Sequence, residues 1–379
     1  MRFSGIERSQ RIDYFRKFDY LLMGVVLIIT AIGLVFLHSA MYDMYADNGA
    51  SAMTVQIAGV ILGIIVALFF CFFDYTNFRN VCFPFYVFNL FVMLLVFTPI
   101  GIENYGSRSW IDLYVTTYQP SELMKIAMII LIAKYLERIN ENGMTLDSAI
   151  IILAGFFIPL GLVLLQKDLG MALVFIFIFL VMIFVGNVKL WQIGIIIGGG
   201  LAAVPFVWKF YLNGVKRDRF LSFLNPDKYQ DYSLQLRRAM TAIGSGQLFG
   251  KGYMQGPLNR GRKIPVKMSD MIFAVICEEG GFIAGFAIVV LMTIMLLRML
   301  QVSHRARDVF GSCIAAGIFA MFAFNIFENI GMNIGIMPIT GLPLPFVSKG
   351  GSAMVTNFFS IGLLLSISLR NKKGMFIDD

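Results

Sequence analysis

The chain has 379 residues, of which 58% are hydrophobic and 14% are charged, and its formal net charge is +8. Soluble domains contain about 25% charged residues, so this composition excludes an ordinary soluble protein. Apolar runs of about 20 residues recur along the chain, and such runs cross a bilayer as helices because lipid offers no partner for an open backbone hydrogen bond. We predict an all-α polytopic membrane protein with about ten transmembrane helices, forming a single integral membrane domain over residues 1–379.

The first apolar run follows a charged N-terminal segment, residues 1–19, which we expect to lie along the cytoplasmic surface of the membrane. This run is too long for the apolar core of a signal peptide and lacks a convincing cleavage site, so we interpret it as the first span. The ten predicted spans cover residues 20–40, 53–73, 80–98, 121–137, 149–166, 170–187, 192–212, 269–299, 309–335 and 351–370.

Lysine and arginine are unevenly distributed between the two sides of these spans. The side of the N-terminus holds fifteen basic residues, whereas the opposite short loops hold three, Arg108, Lys167 and Lys349. Because Lys and Arg accumulate in cytoplasmic loops, we predict that both termini are cytoplasmic. The long segment between the seventh and eighth spans, residues 213–268, then lies on the extracytoplasmic side.

This predicted extracytoplasmic loop is strongly basic, with eleven basic and three acidic residues. Long loops are partly exempt from the charge rule, so the loop is either a segment that is simply translocated or a surface for a phosphate-bearing ligand or anionic headgroups. Nucleic acid is not an expected partner, because the loop faces away from the cytoplasm. Within the loop, the spacing of apolar residues over Asp231–Ala242 predicts a short helix on the membrane surface.

Ionisable residues in or beside spans are candidates for function, since they are costly to insert into a bilayer. Glu122 and Lys125 share a helix face at the start of the fourth span, and they are either a self-neutralising pair or contacts for a ligand. Asp168 lies in a polar turn between the fifth and sixth spans. Of Glu278 and Glu279, we expect one to face a cavity or a polar partner.

Two further acidic residues lie near the C-terminal spans. Glu328, between Asn325 and Asn329, belongs to a buried polar patch that is compatible with a purely structural role. Asp270 ends the basic loop, at the predicted boundary between water and lipid. It is either a general base that meets a membrane-anchored substrate or a residue that caps the following helix.

The sequence does not predict a metal centre of the zinc type. The four cysteines, Cys71, Cys82, Cys277 and Cys313, all lie in apolar runs, and the chain has two histidines. Since no spacing matches a zinc site, we interpret the cysteines as small hydrophobic residues of the membrane domain.

A series of short motifs runs in order through nearly the whole chain. The motifs are Trp110-Ile111 with Gln119–Lys125; Asp168-Leu169-Gly170; Arg217 and Arg219 with Phe223–Pro226; Ala242–Gly246 with Gly250–Gly252; Asp270–Ala274 with Glu278–Gly280; Asn329–Met332; Pro338–Phe346; and Gly350–Ser352. In this order they resemble the SEDS family of bacterial cell-wall polymerases, which includes RodA, FtsW and SpoVE, and the short termini are most like RodA.

The resemblance implies a peptidoglycan glycosyltransferase of the bacterial cytoplasmic membrane. Such an enzyme polymerises lipid II into a nascent glycan chain at the outer face, with inversion and with undecaprenyl diphosphate as the leaving group. Asp270 matches the family's catalytic aspartate and would be the base. The residues that we assign to binding of the diphosphate or sugar are Arg217, Arg219, Lys251, Glu122, Lys125, Asp168 and Ser269.

The resemblance also implies partners. Family members work with a class B penicillin-binding protein, the transpeptidase, and membrane lipid is a further expected contact. We expect no certain cofactor, and a divalent cation is left open. Two other functions are also left open: a flippase or transporter of lipid-linked precursors, and a scaffold for the transpeptidase without activity of its own.

Four positions depart from the family pattern. Val266 replaces a glutamate before the catalytic position, Lys167 a proline, Arg238 a glutamine and Lys349 a tyrosine. All four are predicted on the outer face, and three of them add a cation. These changes indicate altered substrate handling or a specialised paralogue.

Overall fold

The computed structural model describes residues 17–42, 49–104, 106–113, 117–206, 209, 215–225, 227–261 and 263–371 of the chain, and helices dominate these residues. The helices are α1 (Tyr20–Met41), α2 (Gly49–Phe72), α3 (Phe78–Leu95), α4 (Pro120–Asn142), α5 (Leu146–Leu165), α6 (Leu169–Val185), α7 (Leu190–Phe206), α8 (Val215–Leu224), α9 (Gln230–Ser245), α10 (Pro257–Arg260), α11 (Ile272–Arg305), α12 (Val309–Asn333) and α13 (Gly351–Leu369).

Ten of these helices, α1–α7 and α11–α13, lie at the ten predicted spans. Over the described residues, seven are long and apolar enough to cross a membrane. The other three, α4, α6 and α7, do not meet that criterion, because α6 and α7 have 17 residues each and α4 carries several charges. The prediction of a polytopic all-α membrane protein is confirmed. Of the predicted surface segment 1–19, residues 1–16 lie outside the described part of the chain.

Short polar side chains determine where several helices begin, because they accept hydrogen bonds from backbone N–H groups that have no partner inside the helix. Asp19 accepts from Leu22 N at the start of α1. Asp308 accepts from Gly311 N at the start of α12, at 2.8 Å. The apolar runs therefore start at positions that the sequence itself specifies.

The core of the membrane domain lies around α12 and α13. Of their apolar stretches, 72% and 78% is buried, against 28–44% in the other five candidate spans. α13 packs along α2, and α12 packs against α4, α6 and α11. The outer helices expose large apolar side chains, among them Phe69, Phe88 and Phe184. Exposed apolar rings on membrane-spanning helices are typical of a surface that faces lipid, so these helices form the perimeter of the membrane domain.

A small sheet between α3 and α4 was not predicted. It consists of β1 (Gly101–Asn104), β2 (Ser107–Asp112) and β3 (Thr117–Tyr118), antiparallel in the order β1-β2-β3. Backbone and side-chain groups of β2 hold the sheet against the turn after α5, because Arg108 N and Ser107 Oγ both donate to the carbonyl oxygen of Gln166, each at 3.0 Å.

The predicted loop 213–268 contains three helices, α8, α9 and α10, in the part that the structure describes. The expected short helix over Asp231–Ala242 is confirmed as α9, with slightly wider bounds. Ala239 and Ala242 of α9 are fully buried, and α9 packs against α11. The loop is therefore a folded structure docked on the membrane domain.

Candidate active site

Asp270 lies in the turn that leads into α11, and it is half-buried. Met271, and not Asp270, occupies the N-cap position of α11, so the interpretation of Asp270 as the helix cap is wrong. Two amides of α12 hold its backbone carbonyl: Asn329 Nδ2 donates at 3.0 Å and Asn333 Nδ2 at 2.9 Å. Residues four apart share a helix face, which explains how both amides reach one carbonyl.

The segment between α12 and α13, residues 334–350, closes over the turn that carries Asp270. Ser348 Oγ donates to the carbonyl oxygen of Ser269 at 2.6 Å, and Lys349 N donates to that of Met268 at 2.8 Å. Ser348 Oγ also accepts from Leu344 N at 2.8 Å, which tightens the segment on itself. The closing segment thus fixes the backbone of Met268 and Ser269, the two residues before Asp270.

Gly341 of the same segment faces the Asp270 carboxyl group. A Cβ atom at Gly341 would lie 3.4 Å from Asp270 Oδ2, and the φ angle of +83° there favours glycine. Asn329 Nδ2 also donates to the Leu342 carbonyl oxygen at 2.8 Å, so one amide joins this segment to the Asp270 backbone. Gly170, after Asp168, packs against Thr340 from the other side.

Asp168 has a structural role in this arrangement. Its Oδ1 caps α6 by accepting from Met171 N at 3.0 Å, and its Oδ2 accepts from Gln119 Nε2 at 3.2 Å. Because Gln119 directly precedes α4, Asp168 connects the start of α6 to the start of α4. The family motif around Asp168 therefore adjoins the motif that carries Glu122.

Glu122 and Lys125 form a buried ion pair at the start of α4. Lys125 Nζ donates to Glu122 Oε1 at 3.0 Å. Lys125 is 1% exposed and Glu122 is 4% exposed. A small cavity beside Glu122 is also bordered by Ser348, Lys349 and Asn357. The pair thus neutralises itself and lies behind the segment that closes over Asp270.

The basic residues assigned to the diphosphate lie on the 213–268 loop. Arg217 is exposed on α8, and Lys251 is exposed in the turn after α9. Lys251 N donates to the Glu278 carbonyl oxygen at 2.9 Å, which fixes that turn on α11. The side chain of Arg219 lies outside the described residues. The diphosphate role of all three stays a prediction.

Both Glu278 and Glu279 are buried, and both bind the loop. Glu278 accepts from Leu258 N at 2.7 Å and from Asn259 N at 3.0 Å. Glu279 Oε1 accepts from Asn259 Nδ2 at 2.7 Å and from Ser39 Oγ at 2.6 Å. The expectation of a polar partner for one of the pair is therefore met by both.

Lys267, which the sequence analysis did not single out, adds to the hydrogen bonds between these glutamates and α10. Its ammonium group is buried and donates to the carbonyl oxygen of Asn259 at 2.7 Å and to its side-chain oxygen at 2.8 Å. Since Asn259 also contacts both glutamates, Lys267 and the glutamates together hold α10 beside the Asp270 turn. The feature of the sequence that could have identified Lys267 is its position three residues before the predicted base, Asp270.

The four cysteines are free and buried, as predicted. No group of three or more His, Cys, Asp and Glu side chains that could hold a metal is found among the described residues.

The chain is similar in sequence to known proteins over nearly its whole length. A family model described as cell cycle protein, named for FtsW, RodA and SpoVE, matches residues 19–373. The chain belongs to this family. Stage V sporulation protein E of Bacillus subtilis is 32% identical, over 92% of this chain and 96% of its own length. Peptidoglycan glycosyltransferase RodA of Treponema pallidum is 30% identical, over 95% of this chain and 99% of its own length. These matches confirm the predicted SEDS family.

Solved structures have the same architecture. A chain from a structure on the coordination of polymerization and crosslinking by a peptidoglycan synthase complex superposes with a TM-score of 0.78 at 27% identity, covering 93% of this chain and 97% of that chain. The Rod shape determining protein RodA of Thermus thermophilus gives a TM-score of 0.67 at 25% identity, covering 94% of this chain and 98% of that chain. The likeness extends over nearly the whole fold.

Proposed function

We propose that the chain is a peptidoglycan glycosyltransferase that polymerises lipid II at the outer face of the bacterial cytoplasmic membrane. Family membership supports the activity, since the similar RodA of Treponema pallidum and MrdB of Escherichia coli are both named peptidoglycan glycosyltransferases. The observation that carries the proposal is the placement of Asp270. Its backbone is fixed by Asn329 and Asn333, and its half-buried carboxyl group lies at the junction of the basic loop and a span.

In the proposed reaction, a sugar 4-hydroxyl attacks the anomeric carbon of a second lipid-linked sugar. The Asp270 carboxylate takes the hydroxyl proton as the new C–O bond forms. The bond from the anomeric carbon to undecaprenyl diphosphate breaks, with inversion and without a glycosyl-enzyme. The leaving diphosphate gains negative charge, which cations from the basic loop stabilise. The cations in this proposal are Arg217, Arg219 and Lys251.

The remaining residues of the proposed substrate site surround this centre. Ser269 is fixed next to Asp270 by Ser348. Glu122, Lys125 and Asp168 lie at the starts of α4 and α6, behind the closing segment, where Lys125 pairs with Glu122 and Gln119 donates to Asp168. Their contact with substrate stays a prediction from the family resemblance. No organic cofactor enters the proposal. A divalent cation on the lipid diphosphate is compatible with it, and chelation of divalent cations followed by their readdition would measure that requirement.

The orientation and partner belong to the same proposal. Both termini face the cytoplasm, so that the 213–268 loop meets substrate on the outer face; the Lys/Arg bias of the short loops supports this orientation. A class B penicillin-binding protein is the proposed partner, supported by the similarity to a chain from a peptidoglycan synthase complex. Cysteine-accessibility labelling of intact cells at Asp227→Cys and Asn371→Cys distinguishes the two sides.

Polymerisation of labelled lipid II by the purified protein, with and without the transpeptidase, tests the activity. We expect glycan strands from the wild type and a loss of about 100-fold or more in Asp270→Asn, because general-base catalysis contributes about 10²–10⁴-fold. Asp227→Asn is the matched control on the same loop, since Asp227 is exposed and pairs with Arg237, and it should retain activity.

The same assay separates the other two functions. A flippase would move lipid II across vesicles and make no strands, whereas a scaffold would do neither and would only stimulate its partner. If Asp270→Asn makes as many glycan strands as an active wild type, the assignment of the base is contradicted while the proposed activity stands.

A further inference from the structure

Glu328 of α12 is a buried acidic residue that the proposed mechanism does not use. It is 0% exposed, and neither carboxyl oxygen has a hydrogen-bond partner of good geometry among the described residues. The hydroxyl group of Thr340 is likewise buried without such a partner. An unsatisfied polar group in a core costs free energy that an apolar side chain of similar size would avoid. The presence of a carboxyl group at this position therefore indicates a role other than stabilising the fold.

The surroundings of Glu328 lead to Asp270. The hydroxyl and backbone of Thr340 lie beside the Glu328 carboxyl group, and Asp270 lies within electrostatic range of it. Thr340 directly precedes Gly341, the residue that faces Asp270 Oδ2. Asn329, next to Glu328 on α12, holds the backbone of Asp270 and of Leu342. The Glu328 carboxyl group thus lies behind the turn that borders the proposed base.

No ion pair to Glu328 is found among the described residues. A carboxylate without a counter-charge is strongly disfavoured in such surroundings, whereas a protonated carboxyl group can both donate to and accept from Thr340. Apo sites often show long or poorly aligned catalytic hydrogen bonds that tighten when substrate binds.

We propose that Glu328 is a positioning residue that acts through the Thr340–Gly341 turn to place the Asp270 carboxyl group for catalysis. The inference rests on the proposed role of Asp270 as the base. When substrate binds, a hydrogen bond between Glu328 and Thr340 holds this segment, and the segment limits where the Asp270 carboxyl group lies. Misplacement of a catalytic group by about 1 Å costs about 100-fold in rate, so a distant carboxyl group can have a large effect on turnover.

Two substitutions at Glu328 test the proposal in the purified full-length chain. Glu328→Met fills the space without hydrogen bonding; we expect kcat for lipid II to fall about 10- to 100-fold with KM unchanged. The melting temperature should stay the same or rise, because an unsatisfied buried carboxyl group is removed. Glu328→Gln keeps hydrogen bonding without a charge, and its kcat should stay within about threefold of the wild type.

Each other outcome overturns the proposal. Full activity of Glu328→Met shows that the carboxyl group has no role in catalysis. A fall in kcat accompanied by a lower melting temperature shows a structural role only. Equal loss in Glu328→Gln and Glu328→Met shows that the charge or proton, and not hydrogen bonding, matters. Asp270→Asn is measured alongside: if it is fully active, the base assignment fails, whereas an inactive Asp270→Asn with a fully active Glu328→Met overturns only the role of Glu328.

Discussion

Two polar clusters lie on either side of the closing segment 334–350, and they are held by different kinds of contact. At the start of α4, Glu122 and Lys125 are buried and neutralise each other at 3.0 Å. At the start of α11, Asp270 is only half-buried, and the amides of Asn329 and Asn333 hold its backbone carbonyl. The opposite charges of a buried pair offset part of each other's desolvation cost, whereas hydrogen bonds to the main chain fix the position of the residue that carries the carboxyl group. The first arrangement leaves no net charge in the interior, and the second fixes the backbone of the proposed base.

The largest expected effect on stability comes from breaking the buried pair. Lys125→Met leaves the Glu122 carboxylate buried without its cation, so the free energy of unfolding should fall by about 3–5 kcal/mol. Chemical denaturation in detergent micelles measures the change. The double variant Glu122→Gln with Lys125→Met should recover most of the loss, because the unpaired charge is then absent.

An exposed ion pair provides the control for this prediction. Arg237 and Asp227 also form a salt bridge, but their side chains are 52% and 94% exposed. Arg237→Met should therefore cost less than about 1 kcal/mol. If the two single variants lose equal stability, burial does not distinguish the two ion pairs, and the large cost expected for Lys125→Met is contradicted.

Loss of the amide that fixes Asp270 should have an intermediate effect. Asn329→Leu removes the donor to the Leu342 carbonyl oxygen and one of the two amide donors to that of Asp270, and a buried acceptor left without a partner costs about 1–3 kcal/mol. We expect lower stability together with slower polymerisation of lipid II. Asn325→Leu, one turn earlier on α12, is the matched control for stability; an equal cost there would contradict a special role of Asn329.

The smallest effect concerns a strained residue beside the site. Val266 has a φ angle of +50°, a conformation that is unfavourable for a β-branched residue. Val266→Asn should raise the free energy of unfolding by about 1 kcal/mol, because asparagine tolerates this region and such strain costs about 1–3 kcal/mol. Val266→Ala retains a Cβ atom and should bring little gain. A loss of stability in Val266→Asn would show that packing of the valine outweighs the backbone strain.

The four departures from the family pattern have distinct positions in the structure. Val266 and Lys167 both have positive φ angles, of 50° and 61°. Arg238 Nη1 donates to the Lys263 carbonyl oxygen at 3.1 Å, and Lys349 contacts the Asp270 turn through its backbone N. The departures thus lie in turns and loop contacts around the site. Nothing in the structure explains why three of them are cations.

The ten helical segments were predictable from sequence, because an apolar run long enough to cross a bilayer has one stable backbone arrangement in lipid. The helix over Asp231–Ala242 was predictable from its periodicity. The small sheet was not, since strands of two to six residues give too little alternation to detect. The capping interpretation of Asp270 failed because the turn before α11 makes Met271 the cap residue.

The sequence by itself determined the membrane class, the basic loop and Asp270 as a candidate, since these depend on local composition and on an ordered series of motifs. Only the tertiary structure decided what surrounds Asp270. Its contact with Asn329 spans 59 positions of the chain, and the contact between Ser348 and Ser269 spans 79. Contacts between such distant segments depend on how the spans pack, and helix periodicity carries no information about which segments meet. The same packing buried Glu328 behind the turn that faces Asp270.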